Sequence, residues 1–151
     1  MNSNHSVVVS SDPIDTQQVV EHVRSTQSGA LVVFLGIARE FTAGRKTTRL
    51  AYEAYQAMAE QELSQLIQLA AARWPVDRCR IEHRLGVVDL GETCVAVAVS
   101  TPHRREAFEA AQWIMDELKK TVPIWKQEKW SDGATEWVHP EAEVPDETNK
   151  P

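Results

Sequence analysis

Two lysines carry the chemistry that the sequence offers most plainly. Lys119 falls one helical turn after Met115, at the margin of an apolar stripe, so its stem can lie on the core while its amine emerges in a pocket. Lys126 lies in a segment that alternates like a strand and shares one face with Ile124 and Glu128. Burial lowers the pKa of an amine, and a second amine nearby lowers it further, which produces a nucleophile or base at neutral pH. The lysines form such a pair if they converge; otherwise each is a surface lysine without a catalytic role.

A second cluster lies at the start of the helix that carries Lys119. His103, Arg104 and Arg105 surround this helix N-terminus, where unpaired backbone N–H groups and the positive end of the helix dipole favour an anion. Two arginines at this end are unfavourable unless an anion offsets them. The cluster therefore indicates a phosphate or carboxylate site, and the alternative is a pair of solvated charges in the first turn.

Composition limits the class of protein. With 151 residues, 42% hydrophobic and 25% charged, the chain is typical of one compact soluble domain. No apolar run approaches the ~20 residues of a membrane helix, and the N-terminus lacks the basic start and apolar stretch of a secretory signal, so a cytoplasmic protein is expected. The formal net charge of −6 argues against broad nucleic-acid binding, although basic residues concentrate between residues 104 and 129.

Several familiar site signals are missing from the sequence. Cys79 and Cys94 lie in separate apolar segments without CxxC spacing, which predicts two small core residues and neither a metal site nor a disulfide. No glycine-rich phosphate loop, GxSxG or HExxH motif occurs. Nucleotide hydrolysis, serine esterase and zinc protease activities therefore lose their main support.

The elements that must position these residues alternate between strands and helices. Strands are predicted at residues 7–9, 30–36, 49–54, 80–85, 93–100, 124–130 and 135–138, and helices at residues 12–25, 58–74 and 103–121. Several neighbouring strands lack an intervening helix, which predicts an α+β domain with a mixed, largely antiparallel sheet. Residues 1–138 are expected to form this single domain. Residues 139–151, rich in Pro, Glu and Asp, are expected to form a disordered acidic tail.

Five local expectations follow from the same patterns. Residues 30–36 are apolar on both faces, which predicts a central strand, and residues 38–48 are expected to form a polar loop. Asp12 is expected to cap the first helix, with Thr101 and Pro102 as cap and first turn of the third. The buried stripe of the third helix is expected to contain Ala107, Phe108, Ala111, Ile114, Met115 and Leu118.

Ordered motifs along the chain resemble the large subunit of molybdopterin synthase. The first half contains Gly29-Ala30, Phe34-x-Gly36-x-x-Arg39, Tyr52-Glu53-x-Tyr55-x-x-Met58-Ala59 and His83-Arg84-x-Gly86. The second half contains Ser100-x-x-His103-Arg104-x-x-Ala107-Phe108-Glu109-Ala110, Asp116-x-x-Lys119, Pro123-Ile124-Trp125-Lys126-x-Glu128 and Gly133-x-x-x-Trp137-Val138. Their joint occurrence in order is far more specific than any single motif.

This resemblance implies an architecture and a reaction. The implied fold is α/β hammerhead-like, and the implied assembly is a heterotetramer in which a homodimer of large subunits binds one small ubiquitin-like subunit at each end. The small subunit would carry a thiocarboxylate at its Gly-Gly C-terminus. Two sulfur atoms would pass from it to cyclic pyranopterin monophosphate, whose product is the dithiolene of molybdopterin. No metal or other cofactor is implied, since the sulfur arrives on the partner.

The resemblance also assigns residues. The two essential lysines of the family fall on Lys119 and Lys126. Its substrate-contacting positions fall on Arg39, His103, Arg104, Lys119, Lys126, Gln127 and Glu128, with backbone contacts from Ile37 and Ala38. The basic helix terminus would hold the substrate phosphate, while the lysines would stabilise developing charge, shuttle protons or capture an acyl or substrate intermediate.

Two other classes of function remain compatible with the residues. A binding module could hold a phosphorylated ligand or a partner's C-terminal carboxylate without chemistry. Such a module would tolerate Lys119→Arg, whereas a nucleophile or tuned base would not, because arginine stays protonated. A small phosphohydrolase would release phosphate without any partner protein.

Overall fold

The computed structural model describes residues 4–138, which form an α+β domain; the expected acidic tail at 139–151 lies outside these residues. The elements within the described range are β1 (His5–Ser10), α1 (Thr16–Val23), β2 (Ala30–Ile37), β3 (Phe41–Thr42), β4 (Arg45–Ala54), α2 (Gln56–Arg73), β5 (Arg78–Arg84), β6 (Gly86–Val88), β7 (Thr93–Thr101), α3 (Arg104–Thr121), β8 (Ile124–Trp130) and β9 (Thr135–Val138). The predicted order of helices and strands is confirmed, with β3 and β6 as additional short strands. Among these described helices, none has the length and apolar character needed to cross a membrane.

The first sheet holds the main core. Its strand order is β1-β5-β7-β2, with β1 parallel to β5 and the other pairs antiparallel. Val97 and Val99 of the central strand β7 share a core with the inward faces of α2 and α3. Ala96 and Ala98 face the other way and pack with Val19 and Val23 of α1. The small side chains of β7 thus admit helices on both faces of the sheet, as the sequence predicted.

Strand β2 was expected to be central and is an edge strand instead. Leu31, Val33 and Leu35 pack beside α1, while Val32 packs on the main core from the opposite face. Both faces are therefore apolar although one edge is free of a neighbouring strand within the described residues. A strand that is apolar on both sides is expected to have both faces covered, but this pattern does not indicate whether other strands pair with its edges.

The second sheet has the order β3-β4-β8-β9, and β6 pairs with β4. Its β3–β4 hairpin replaces the polar loop expected at residues 38–48. The turn uses positive φ angles at Ala43 (50°) and Gly44 (81°), as a tight hairpin turn requires. The start of β4 was not predicted, because Arg45 and Lys46 are charged and do not show the apolar alternation that indicates a strand.

Two predicted helix caps were wrong. Asp15, rather than Asp12, caps α1, because its carboxylate accepts hydrogen bonds from the backbone N–H groups of Gln17 and Gln18. His103 occupies the cap position of α3, since Thr101 still belongs to β7. The Thr101 hydroxyl instead donates to the backbone oxygen of His103 at 2.6 Å.

The buried stripe of α3 differs from the prediction at one position. Phe108 is 62% exposed, and Ala110 is fully buried in its place. The remaining predicted residues are buried: Ala107, Ala111, Ile114, Met115 and Leu118. A step of about 100° from Ala107 carries Phe108 past the edge of the buried face.

Candidate functional site

A pocket of about 510 Å³ opens where the end of β2 and the last turns of α3 meet strands β4, β5, β7 and β8. Its walls combine apolar side chains such as Phe34, Leu50 and Leu118 with a group of polar ones. The polar members are Arg39, Thr42, Tyr52, His83, Cys94, Lys119, Lys126 and Glu128. This volume lies within the range of small-molecule sites.

The two lysines predicted from the sequence converge in this pocket. Lys119 reaches it from the last turn of α3 and is half-buried. Lys126 reaches it from β8, where Ile124, Lys126 and Glu128 are all buried on one face, as the alternation predicted. Pro123 separates α3 from β8 and allows the chain to turn back, so that the two amines enter one cavity.

Burial governs the protonation of Lys126. Its side chain is 6% exposed, and its Nζ lies 2.7 Å from Oε1 of Glu128. Burial lowers the pKa of Lys126, Glu128 opposes this effect, and the positive charges of Arg39 and Lys119 add to the lowering. The amine is thus more easily deprotonated than a surface lysine, which is the condition for a nucleophile or base.

Glu128 is itself held on both carboxylate oxygens. Oε1 faces Lys126, and Oε2 accepts a hydrogen bond of 3.2 Å from the hydroxyl of Thr47. Thr47 is fully buried. Sequence reasoning missed it, because it lies in the segment that was expected to form a polar loop.

The floor of the pocket is lined by three further residues that were not predicted as site residues: Tyr52 and His83, which belong to the family motifs, and Cys94, which was expected in the core. Tyr52 lies opposite Lys126 in the β4–β8 ladder and packs edge-on against His83, with ring centroids 5.0 Å apart. Burial lowers the pKa of His83 to about 4, so its ring is neutral at pH 7. Its Nδ1 lies 2.9 Å from the Arg84 carbonyl, which can only accept, so this nitrogen carries the proton.

The phenol and the thiol at the floor are also neutral. Burial raises the pKa of Tyr52 far above its usual range, and burial raises the pKa of Cys94 despite its hydrogen bond with Tyr52. Burial also raises the pKa of Cys79 to about 12. Both cysteines are buried core residues, as predicted, and neither is a thiolate at pH 7. The reactive groups of this pocket are therefore its amines.

Other predicted site residues occupy different positions relative to the pocket. Ile37 and Arg39 line it and are exposed at its mouth. Ala38 is buried, its N–H donates to the Glu92 carbonyl at 2.9 Å, and its own carbonyl accepts from Gly91. Gln127 lies on the opposite face of β8 from Lys126. A backbone contact from Ala38 to a ligand would therefore have to use the second lone pair of its carbonyl oxygen.

His103 and Arg104 lie far from the lysine pocket in the same chain. They stand at the exposed N-terminus of α3, whereas Lys119 is in its last turn. Fifteen helical steps of 1.5 Å separate Arg104 from Lys119 by about 22 Å. The basic helix terminus and the lysine pair are thus two separate features of one chain.

Residues 4–138 contain no group of three or more His, Cys, Asp or Glu side chains placed to hold a metal ion. The fold and pocket define a small α+β protein that presents two amines, a carboxylate and an arginine to a ligand. This constellation suits covalent or acid–base chemistry on an anionic or acyl substrate.

Comparison with known proteins supplies the family. The family model described as MoaE protein matches residues 9–121. The molybdopterin synthase catalytic subunit of Bacillus subtilis is 41% identical over 136 residues, covering 90% of this chain and 86% of that one. The subunit of the same name from Pyrococcus abyssi is 40% identical, with 95% and 96% covered. The crystal structure of molybdopterin synthase from Staphylococcus aureus has a TM-score of 0.80 at 39% identity, with 91% and 98% covered. The chain belongs to the MoaE family.

Proposed function

We propose that this chain is the catalytic subunit of a molybdopterin synthase, a sulfurtransferase of molybdenum cofactor biosynthesis. It would transfer two sulfur atoms from the C-terminal thiocarboxylate of a small ubiquitin-like subunit to cyclic pyranopterin monophosphate, forming the dithiolene of molybdopterin. One observation carries the proposal: Lys119 and Lys126 share a pocket in a chain of this family, and the pKa of Lys126 is lowered there.

The residues of the pocket suit this reaction. An amine with a lowered pKa can attack an acyl carbon, accept a proton or, once protonated, stabilise a developing oxyanion. Glu128 beside Lys126 provides a proton partner within hydrogen-bond distance. Arg39 at the mouth supplies a fixed positive charge for an anionic substrate. The proposed substrate-contacting set adds Ile37, Ala38, His103, Arg104 and Gln127.

The sulfur donor in this proposal is a separate protein. The relatives from Bacillus subtilis and Pyrococcus abyssi are named catalytic subunits, which implies that they work beside another subunit. In this chain Phe34 and Ile37 line the pocket while they remain 41% and 49% exposed. An extended C-terminal segment entering the pocket would cover these side chains and gain the corresponding hydrophobic stabilisation.

A homodimer accounts for the distance between the two basic features. His103 and Arg104 lie about 22 Å along α3 from Lys119, so they contact a substrate bound at the lysines only if they come from a second copy. A two-fold dimer, the commonest symmetric assembly, could place the α3 N-terminus of each copy at the pocket of the other. With one small subunit per pocket, the assembly is a heterotetramer.

The cytoplasm is the proposed location. Cys79 and Cys94 are free thiols, and unpaired cysteines are typical of proteins in reducing compartments.

Reconstitution tests the function. Purified chain is mixed with a thiocarboxylated small subunit and cyclic pyranopterin monophosphate, and the dithiolene product is followed by mass. Product is expected with the thiocarboxylate and not with the same small subunit ending in a carboxylate. Binding without product would support the binding module instead, and phosphate release without a partner would support the phosphohydrolase.

A further inference from the structure

The geometry around the buried ion pair assigns a role to a residue outside the family-derived set. We infer that Thr47 is a positioning residue for Lys126 and acts through Glu128. The Thr47 hydroxyl would hold the Glu128 carboxylate in the orientation that faces Lys126 and would limit how strongly this carboxylate retains the lysine proton. This inference deepens the proposed function and rests on it for the kinetic part of its test.

A strand irregularity turns Thr47 toward Glu128. Leu50 and Tyr52 of β4 pair with Glu128 and Lys126 of β8, so even-numbered residues of β4 share the inward face. Simple alternation would therefore turn Thr47 outward. The register shifts between Thr47 and Arg49, with Thr48 as the extra residue, and Thr47 pairs with the inward-facing Trp130. The bulge thus reverses the direction of Thr47, as bulges beside active sites do.

The backbone around Thr47 is also fixed. The Thr47 N–H donates to the Glu40 carbonyl at 2.6 Å, and the Thr48 hydroxyl donates to the Lys129 carbonyl at 3.0 Å. Thr47 itself is fully buried, so water does not compete for its hydroxyl. Its 3.2 Å hydrogen bond to Oε2 of Glu128 is therefore sheltered from water and supports Glu128 from behind the pocket wall.

The hydroxyl affects the lysine through the charge on the carboxylate. A donor on Oε2 stabilises the negative charge of Glu128 and reduces its basicity, so Oε1 holds the proton of Lys126 less tightly. Removal of the hydroxyl leaves a buried oxygen without this donor, and the carboxylate then binds the ammonium more strongly. The titratable and charged groups that line the pocket with Lys126 are Glu128 on β8, Tyr52 on β4, His83 on β5, Cys94 on β7, Lys119 on α3 and Arg39 after β2. Thr47→Val leaves all of these side chains in place.

Direct titration of Lys126 tests the inference without any activity. The protein is labelled with 13C-lysine, and the Cε signal of Lys126, identified by its loss in Lys126→Arg, is followed against pH. Thr47→Val is expected to move the titration of Lys126 upward by about half to one pH unit, because the lysine senses only part of the energy of this charge-assisted hydrogen bond. Thr47→Ser, which keeps the hydroxyl, is expected to titrate at the wild-type pH. Thr135→Val, the same change at an exposed strand position, is expected to have no effect.

The kinetic part of the test uses the reconstituted synthase. With Thr47→Val the acid limb of the pH–rate profile is expected to move in the same direction, which lowers kcat near neutral pH about three- to tenfold and leaves KM for the small subunit unchanged. Thr47→Ala serves the same purpose if the valine variant does not fold. An unchanged or downward titration of Lys126 in the folded variant would overturn the inference. Absence of sulfur transfer by the wild-type chain would refute the proposed function and leave the titration to decide the role of Thr47.

Discussion

The amine of Lys126 lies 2.7 Å from a carboxylate oxygen of Glu128, and both side chains are almost completely removed from solvent. Two charges buried together lose much hydration, and their mutual attraction offsets this loss only while both are present. Lys119 and Arg39 bring further positive charge to the same cavity. The pair therefore adds little net stability, and the pKa of Lys126 is lowered by burial and by the charges of Arg39 and Lys119 against the opposing effect of Glu128.

Glu128→Gln should weaken the fold and shift the lysine. Without the counter-charge, burial and the charges of Arg39 and Lys119 act on Lys126 unopposed, and its pKa falls further. At pH 7 the free energy of unfolding should decrease by roughly 3 kcal/mol. Above the pKa of Lys126 in the folded variant and below 10.5, the unfolded state binds the extra proton, so the stability of the variant rises with pH. The wild type begins the same rise only at its own, higher pKa, so the deficit shrinks between the two folded-state pKa values. Denaturant unfolding of the variant and the wild type at several pH values measures this difference in the free energy of unfolding. A difference that grows with pH would contradict the prediction.

His83 should make the protein sensitive to mild acid. Its pKa is about 4 in the folded protein against 6.5 when unperturbed, so the unfolded state binds the extra proton between these values. Stability should thus fall as pH drops from 6.5 to 4, by about 3 kcal/mol in total from this residue. His83→Phe should flatten this part of the stability curve, whereas His22→Phe, at an exposed position, should retain the wild-type pH dependence. Equal slopes in all three proteins would refute the prediction.

Gly36 should be required for the packing of β2 on β7. A Cβ added at Gly36 would lie 2.6 Å from Cγ1 of Val95, so Gly36→Ala should lower the free energy of unfolding by about 1–3 kcal/mol. Val95→Ala in the same chain should remove the clash. A double-mutant cycle measures the coupling, and strictly additive effects of the two changes would show that the contact is not the cause.

Complementation between two inactive chains should reveal whether the site is shared. One chain carries Lys119→Ala, the other carries His103→Ala with Arg104→Ala, and each alone should be inactive. If the helix terminus of one copy serves the pocket of the other, half of the randomly formed dimers regain one of their two sites, about a quarter of wild-type activity. Activity that stays at the level of the separate variants would place His103 and Arg104 outside the site.

Part of this site follows from local sequence pattern. Alternation along β8 places Lys126 and Glu128 on one face, and helical spacing places Lys119 at the margin of the buried stripe, because both periods depend only on the nearest residues. Phe108 shows where helical periodicity fails as a predictor. A residue at the edge of the buried stripe is buried or exposed depending on a few degrees of rotation about the helix axis. The family motifs, rather than the periods, indicated that the two lysines work together.

The remaining features depend on pairing between distant segments. The inward direction of Thr47 results from a register shift against β8, which no local pattern of β4 contains. Tyr52 and Cys94 meet because β4 and β7 belong to neighbouring sheets, and an apolar-looking tyrosine or cysteine gives no sign of this contact. The edge position of β2 is likewise set by strand order. Sequence reasoning therefore found the two amines together with Glu128 and Arg39, which shift the pKa of Lys126, and missed Thr47 and the residues at the floor of the pocket.

Loss of sulfur transfer on removal of either pocket amine tests the central claim most directly. Lys119→Ala and Lys126→Ala are compared in the reconstituted assay with Lys120→Ala and Lys129→Ala, which remove exposed amines from the same helix and the same strand. Each pocket variant should lower the rate of dithiolene formation at least about a hundredfold, as expected for loss of a catalytic proton donor or nucleophile, while both surface variants stay near the wild-type rate. Full activity in a folded Lys119→Ala or Lys126→Ala protein would contradict the assignment of the pocket as the catalytic site.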